Sequence, residues 1–387
     1  MKRDNREAAR TAAEYATLAA SEKLTGAMNI VEGWRLMVAK DPDPDRYRPE
    51  LAAGLSNLGA LLLELSGPTA ALDPALEAVA LFRELVAADP DRHRPGLAIA
   101  LSNLGITLAE TGSPDEALAT VEEAVTAWRE LVAADPGRYR PDLAAALYNE
   151  ASRLAEVGRE DDALRVERES VAAWRELVAD DPDRRLPGLA RGLSALGIHL
   201  SELGRPAEAV PLDQEAATLY RRLAAADPGR YLPDLAGALS DLSGDLAKLN
   251  HHRQALPAAD QSVSIYKKLA RTDPGGHGPA LATALTNLSV AYRESGRAAD
   301  AIPPARESIT IYRWLATDSP GSYDIDLTDS LENLATCLSA QAVELSLAGR
   351  SGKAQKLWGE AAKIRAANKR LTATLQREQL DRGVAGV

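Results

Sequence analysis

Near the middle of this chain stand three side chains of the types that general acid–base chemistry uses, Glu150, His199 and Asp245, with Tyr148 close to the first. A histidine beside a carboxylate offers a base and the acid that orients it, so His199 with Asp245 could do that work while Glu150 and Tyr148 face a binding groove. The same residues suit a structural part equally well. Glu150 could pair with Arg153 one helical turn on, and His199 with Asp245, as an ion-pair set that specifies the order of packed units. No nucleophile elbow, phosphate-binding loop, HExxH or other metal-ligand spacing accompanies them. No cofactor and no metal is therefore expected, and the chain reads more readily as a non-enzyme than as an enzyme.

These residues stand out because they interrupt a repeat. A leucine recurs every 46 residues at Leu51, Leu97, Leu143, Leu189, Leu235, Leu281 and Leu327, and a proline at Pro44, Pro90, Pro136, Pro182, Pro228, Pro274 and Pro320. Within one period, Leu97, Leu101, Leu104, Gly105 and Leu108 mark one face of a helix expected to start after Pro95 and stop near Gly112. Ala117, Leu118, Val121, Ala124, Val125, Trp128, Leu131 and Val132 trace a second amphipathic stripe, from about Asp115 to Ala134, which Asp135-Pro136 halts. Each period is thus an antiparallel helix hairpin. An aromatic ladder, Phe82, Trp128, Trp174, Tyr220, Tyr266 and Tyr312, falls on the second helix at core spacing.

The pattern Leu101, Leu104, Gly105, Leu108, Ala117 and Val121 resembles the tetratricopeptide repeat, in the extended variety of kinesin light chains and bacterial arrays. The lengthened second helix and a DPxRYRP connector account for the longer unit. The resemblance implies an all-α fold, a right-handed superhelical α-solenoid of stacked hairpins. It also implies a concave groove lined by first helices, and a protein-binding scaffold as the function.

Three segments are expected: residues 1–44 as a divergent capping hairpin, 45–320 as six repeats, and 321–387 as an atypical last repeat. In the last, seven residues inserted between Leu338 and Gly349 lengthen the first helix. A basic capping helix follows, carrying Arg350, Lys353, Lys356, Lys363, Arg365, Lys369 and Arg370. Pro74 should kink or delay the second helix of the first full repeat. The net charge of -11 argues against a nucleic-acid partner. No membrane partner is expected, since no apolar stretch reaches membrane-spanning length, and the single Cys337 fits a reducing cytoplasm.

One position before the signature leucine reads Asn57, Asn103, Asn149, Ala195, Asp241, Asn287 and Asn333. An amide both donates and accepts, so such a row could hold the backbone of an extended peptide or a flexible segment of a protein partner. Beside it run Ser56, Ser102, Tyr148, Ser194, Ser240, Thr286 and Glu332, with Arg191 and Arg293 nearby. The acids Glu64, Glu110, Glu156, Glu202 and Glu294 form a further row, broken by Lys248. Departures from the repeat cluster near the middle. The place of Thr107 becomes Arg153, His199 and then Asp245, a core place on the second helix becomes Glu167 and Asp213, and His251-His252 replaces a glycine turn. Buried polar groups of this kind must find partners. The alternatives to peptide binding are a small-molecule receptor or enzyme centred there, and self-assembly through an open end of the array, so a homo-oligomer is possible.

Overall fold

A computed structural model describes residues 2–384 except 42, 44, 45 and 320, and leaves aside the side chains of residues 2–19, 183 and 376–384. Pro44 and Pro320 therefore lie outside the described residues. Fifteen helices, numbered in chain order, make up the described residues, which include no strand. After α1 (Lys2–Lys40), first helices of successive hairpins are α2 (Arg48–Ser66), α4 (Pro90–Glu110), α6 (Pro136–Glu156), α8 (Pro182–Glu202), α10 (Pro228–Lys248), α12 (Pro274–Glu294) and α14 (Asp324–Leu347). Second helices are α3 (Pro68–Ala88), α5 (Pro114–Ala134), α7 (Glu160–Asp180), α9 (Pro206–Ala226), α11 (His252–Leu269), α13 (Ala298–Asp318) and α15 (Ser351–Val384). The chain forms two compact units, Met1–Gly192 and Leu193–Val387, with the boundary inside α8.

The prolines stand where second helices end, as expected, α5 stopping at Ala134, and they also open the next first helices. In α4, α6, α10 and α12 the proline is the first helical residue, and the aspartate before it (Asp89, Asp135, Asp227, Asp273) caps the helix. Its carboxylate accepts the N–H of the third residue along at 2.9–3.3 Å. An Asp cap followed by Pro at the first turn nucleates a helix at once. The DPxRYRP segment is therefore helix, and α4 begins at Pro90 instead of after Pro95. Hairpin turns use a left-handed residue, with φ between 71° and 81° at Gly112, Gly158, Gly204 and Gly296. At the corresponding place in the fifth hairpin Asn250 adopts φ 61°, so asparagine, and not His251-His252, takes over the glycine's part.

Packing within a hairpin depends on the small first-helix position. A Cβ on Gly105 would collide with the Val121 side chain, so only glycine lets α4 and α5 approach this closely. The aromatic ladder is core throughout, every member being buried. Trp174 lies against Gly188, where a Cβ would come within 2.6 Å of its ring. α3 runs through Pro74 without interruption, and α14 extends over 24 residues.

Residues 1–44 do not form the expected hairpin. α1 is one 39-residue helix, and it packs on α2 as a second helix packs on the next repeat's first helix. A Cβ at Gly54 would touch Val31 Cγ2 at 3.4 Å and Trp34 Cδ1 at 3.6 Å, while one at Gly192 would touch Val171 Cγ2 at 3.4 Å and Trp174 Cδ1 at 3.7 Å. The two geometries are the same, so α1 is a second helix without a first helix of its own.

Candidate functional site

The asparagine row falls on the first helices, and its amides work inside the stack. Asn103 donates to Ser56 Oγ at 3.0 Å, and Asn287 donates to Ser240 Oγ at 3.2 Å and its carbonyl at 3.4 Å, each reaching the preceding first helix of its own unit. Asn333 donates to Ser289 Oγ at 3.1 Å and accepts from Arg293 Nη1 at 2.8 Å. The serine row is half of this arrangement, since Ser56 and Ser240 are buried and act as acceptors. Ser102 bonds the Ala98 carbonyl at 2.8 Å and receives the Trp128 indole N–H at 3.4 Å. Asn57 is exposed and Asn149 half-buried. Ser194 carries a buried hydroxyl oxygen with no hydrogen-bond partner.

In the first unit Glu150 is half-buried, with its Oε2 unpartnered, and burial is the main cause that raises its pKa. Arg153 does not neutralise it, because Arg153 pairs with Glu156 at 2.7 Å. Tyr148 lies 5.9 Å from the Arg191 guanidinium in a cation–π contact, so Arg191 is engaged with this ring.

The second unit gathers acids more tightly. Asp213 on α9 is 1 % exposed and Asp245 on α10 is 2 % exposed. Gly197 makes room for the first: a Cβ there would collide with Asp213 Oδ1, as one on Gly105 would with Val121. Asp213 thus occupies the place that valine fills two repeats earlier. The Oδ2 atoms of both aspartates are buried without a hydrogen-bond partner, and the charge of Asp245 acts on Asp213. Two buried carboxylates that feel each other's charge are costly to ionise together. Burial, then the charges of Asp245 and Asp241, push Asp213 up to about 8, with Lys248 opposing. Burial and Asp245 push Asp241 up to about 6, while burial with Asp241 and Asp234 pushes Tyr266 up to about 12. Asp245 Oδ1 accepts from Ser201 Oγ and, at 2.9 Å, from Lys248 Nζ, and Lys248 also reaches Ser201. The hydrogen-bond partners of Asp245 are thus Ser201 and Lys248, while His199, 7 % exposed, is buried on α8 and engaged. A cavity of about 230 Å³ opens here among α8, α10 and α12, lined among others by Ser201, Glu202, Asp241, Asp245, Lys248 and Asn287.

Comparison with known families supplies the decisive observation. A profile described as tetratricopeptide repeat matches residues 97–136, 189–228 and 281–313, three segments that start two periods apart and share their helix pairing with the repeats between them. The chain is a tetratricopeptide repeat protein. No curated protein matches it. Among solved structures, this tetratricopeptide repeat protein is similar to BtubC (BKLC) from P. vanneervenii, at 20% identity over 66% of this chain and 92% of that one, with a TM-score of 0.45. It is similar to a putative kinesin light chain of Podospora anserina with nearly identical repeats, at 18% identity over 58% and 96%, TM-score 0.40. It is also similar to the apo form of RapI, at 13% identity over 82% and 98%, TM-score 0.49.

Two features of the repeat protein carry no obvious signal in a single repeat. One is a ladder between successive second helices at a separation of 40 residues: Arg83 to Glu123 at 2.6 Å, Arg129 to Glu169 at 3.1 Å, Arg221 to Gln261 at 2.9 Å and Lys267 to Glu307 at 2.7 Å. The recurrence of Arg or Lys directly after the ladder aromatic is the sign that would have found it. The other is the Asp213–Asp245 pair, for which the clue was a polar residue at two core places in adjacent repeats. Among the described residues no group of histidine, cysteine and acidic side chains could hold a metal ion, and no helix is long and apolar enough to cross a membrane.

Proposed function

We propose that the protein is a non-enzymatic scaffold whose first helices hold an extended peptide or flexible segment of a protein partner. The tetratricopeptide fold is one of protein–protein interaction in general; the finer reading rests on the fixed amides. The bond from Asn103 to Ser56 spends one of two amide N–H donors and orients a rigid acceptor and a second donor along the row, and the bonds from Asn287 to Ser240 fix its acceptor likewise. A preorganised amide loses less entropy on binding. The cavity beside Asp241 and Asp245 supports the same view. At about 230 Å³ it is smaller than the roughly 300–1,000 Å³ of small-molecule sites and suits a single partner side chain.

The test uses a phage-displayed library of random linear peptides against the whole protein. Selected peptides should bind with micromolar Kd, and the combined Asn103→Ala, Asn149→Ala and Asn287→Ala substitutions should weaken them at least tenfold while helicity persists. Because two of these amides also join repeats, Asn149→Ala alone, which disturbs no such bond, should retain wild-type melting and still weaken binding. Unaltered peptide affinity in both variants would refute the asparagine row as the binding element.

A further inference from the structure

Three departures from the repeat meet at one cavity in the second unit. Near the start of earlier first helices Arg48, Arg94 and Arg140 pair with Glu84, Glu130 and Glu176 of the same hairpin's second helix, at 3.0–3.7 Å. The arginine's place then holds Leu186 and Leu232, and in α12 it holds Gly278, while the glutamate's place on α13 is taken by Trp314. Arg271 stands where earlier repeats carry Ala87, Ala133, Ala179 and Ala225.

A cavity of about 540 Å³ opens at these three residues, between α11 and α13 and beside the first turns of α12. Leu281, Ile311 and Trp314 give it an apolar wall, and Lys267, Arg271 and Glu307 stand around it. A Cβ on Gly278 would make only ordinary contacts, 3.7 Å to Ile311 Cγ2 and to Trp314 Cζ3, so close packing does not demand glycine there. Glycine inside a helix is unfavourable relative to alanine; what it leaves here is open space. The Trp314 ring beside that space is 46 % exposed.

The charge around the cavity is not balanced. Lys267 Nζ is engaged with Glu307 at 2.7 Å. α11 stops at Leu269, and Thr272 Oγ1 donates to the Leu269 carbonyl at 2.8 Å, so Arg271 lies in the turn beyond the helix, where Ala133 and Ala225 are still helical. Its guanidinium has no hydrogen bond or ion pair among the described residues.

We propose that this cavity binds a flat aromatic acid, with its ring against Trp314 and its carboxylate on Arg271. The volume lies within the roughly 300–1,000 Å³ of small-molecule sites. An arginine fork receives a carboxylate through two parallel N–H bonds, and an indole stacks on a second ring. A cation would meet Arg271 with Glu307 already engaged, and an uncharged molecule would leave the guanidinium unused. The cavity lies between second helices, apart from the first-helix amides, so it does not depend on the peptide-binding reading.

Isothermal titration of the full chain with 2-naphthoate, 2-naphthamide and 2-naphthamidine, which share a shape and differ in charge, tests this. The naphthoate should bind at least tenfold more tightly than the amide, and the amidine should not bind. Arg271→Gln should abolish the preference for naphthoate while affinity for the amide persists. Gly278→Leu, which introduces the residue of two other repeats, should remove binding of both with melting unchanged. Gly278→Arg with Trp314→Glu rebuilds the ion pair of the earlier hairpins and should bind neither compound. A protein that takes up none of the three would overturn the proposal, as would equal affinity for naphthoate and amide in the wild type. Binding that survives both ways of filling the cavity would overturn it too.

Discussion

The buried pair Asp213 and Asp245 makes a stability claim that pH can test. Asp213 has an ordinary pKa of 3.8 and is pushed up to about 8 by burial and the neighbouring charge. The folded protein therefore keeps a proton that the unfolded chain releases near pH 4. With the folded pKa above the unfolded one, the stabilising contribution is complete below about pH 4, declines as pH rises and is gone above about 8. At ~1.4 kcal/mol per pH unit, the range from 3.8 to about 8 corresponds to a loss on the order of 5 kcal/mol, shared by the coupled pair. Asp241, raised to about 6, adds a loss of the same sign between about pH 4 and 6. His199 and Tyr266 are buried in the same unit, and Lys248 partly offsets the acids.

Asp213→Asn removes the titration and keeps a side chain of the same size. In hydrogen-exchange mass spectrometry between pH 5 and 9, corrected for intrinsic exchange, α9 and α10 of the wild type should lose protection steeply with rising pH. The variant should be close to wild type at pH 5, better protected at pH 8–9, and much flatter between. Local exchange suits an array, whose repeats need not unfold as one unit. Parallel pH profiles for the two proteins would refute a proton retained on Asp213.

Gly197→Ala should destabilise the second unit by about 1–3 kcal/mol, since its methyl group would collide with Asp213, whereas Gly352→Ala, in open space, should not; denaturant midpoints decide. Asn103→Ala should cost about 1 kcal/mol through the lost bond to Ser56, and Asn149→Ala close to nothing, a difference readable in urea unfolding. Trp128→Ala should cost about 3–5 kcal/mol because the ring is 4 % exposed within the core, as measured by the fall in unfolding midpoint of the first unit.

Much of the architecture could be read from one period of the chain. Helical spacing of Leu101, Leu104 and Leu108 found the first helix, and the run ending at Leu131 found the second. The helix start was missed because proline was taken as a stop: Asp89 and Pro90 together form a start, and only the cap geometry distinguishes the two. The site was read less well. Asparagine at a first-helix position looked outward-facing, yet Asn103 and Asn287 bond residues 47 positions earlier, across the joint between repeats. The Glu150–Arg153 and His199–Asp245 pairings rested on helical spacing and on shared repeat position, whereas Arg153 pairs with Glu156, and Asp245 with Ser201 and Lys248.

Local chemistry alone therefore decided where helices lie, which faces are apolar, and that the chain is a tetratricopeptide array, because helical periodicity, caps and left-handed turns involve residues a few positions apart. Packing between repeats decided the rest. Whether an amide faces solvent or a neighbouring serine, and whether two aspartates meet or merely share a register, depends on contacts 32 to 47 residues apart in the chain. Ile30 carries the same lesson at the end of the array: an aliphatic residue on an amphipathic helix reads as core, and only the missing first helix beside α1 leaves it open.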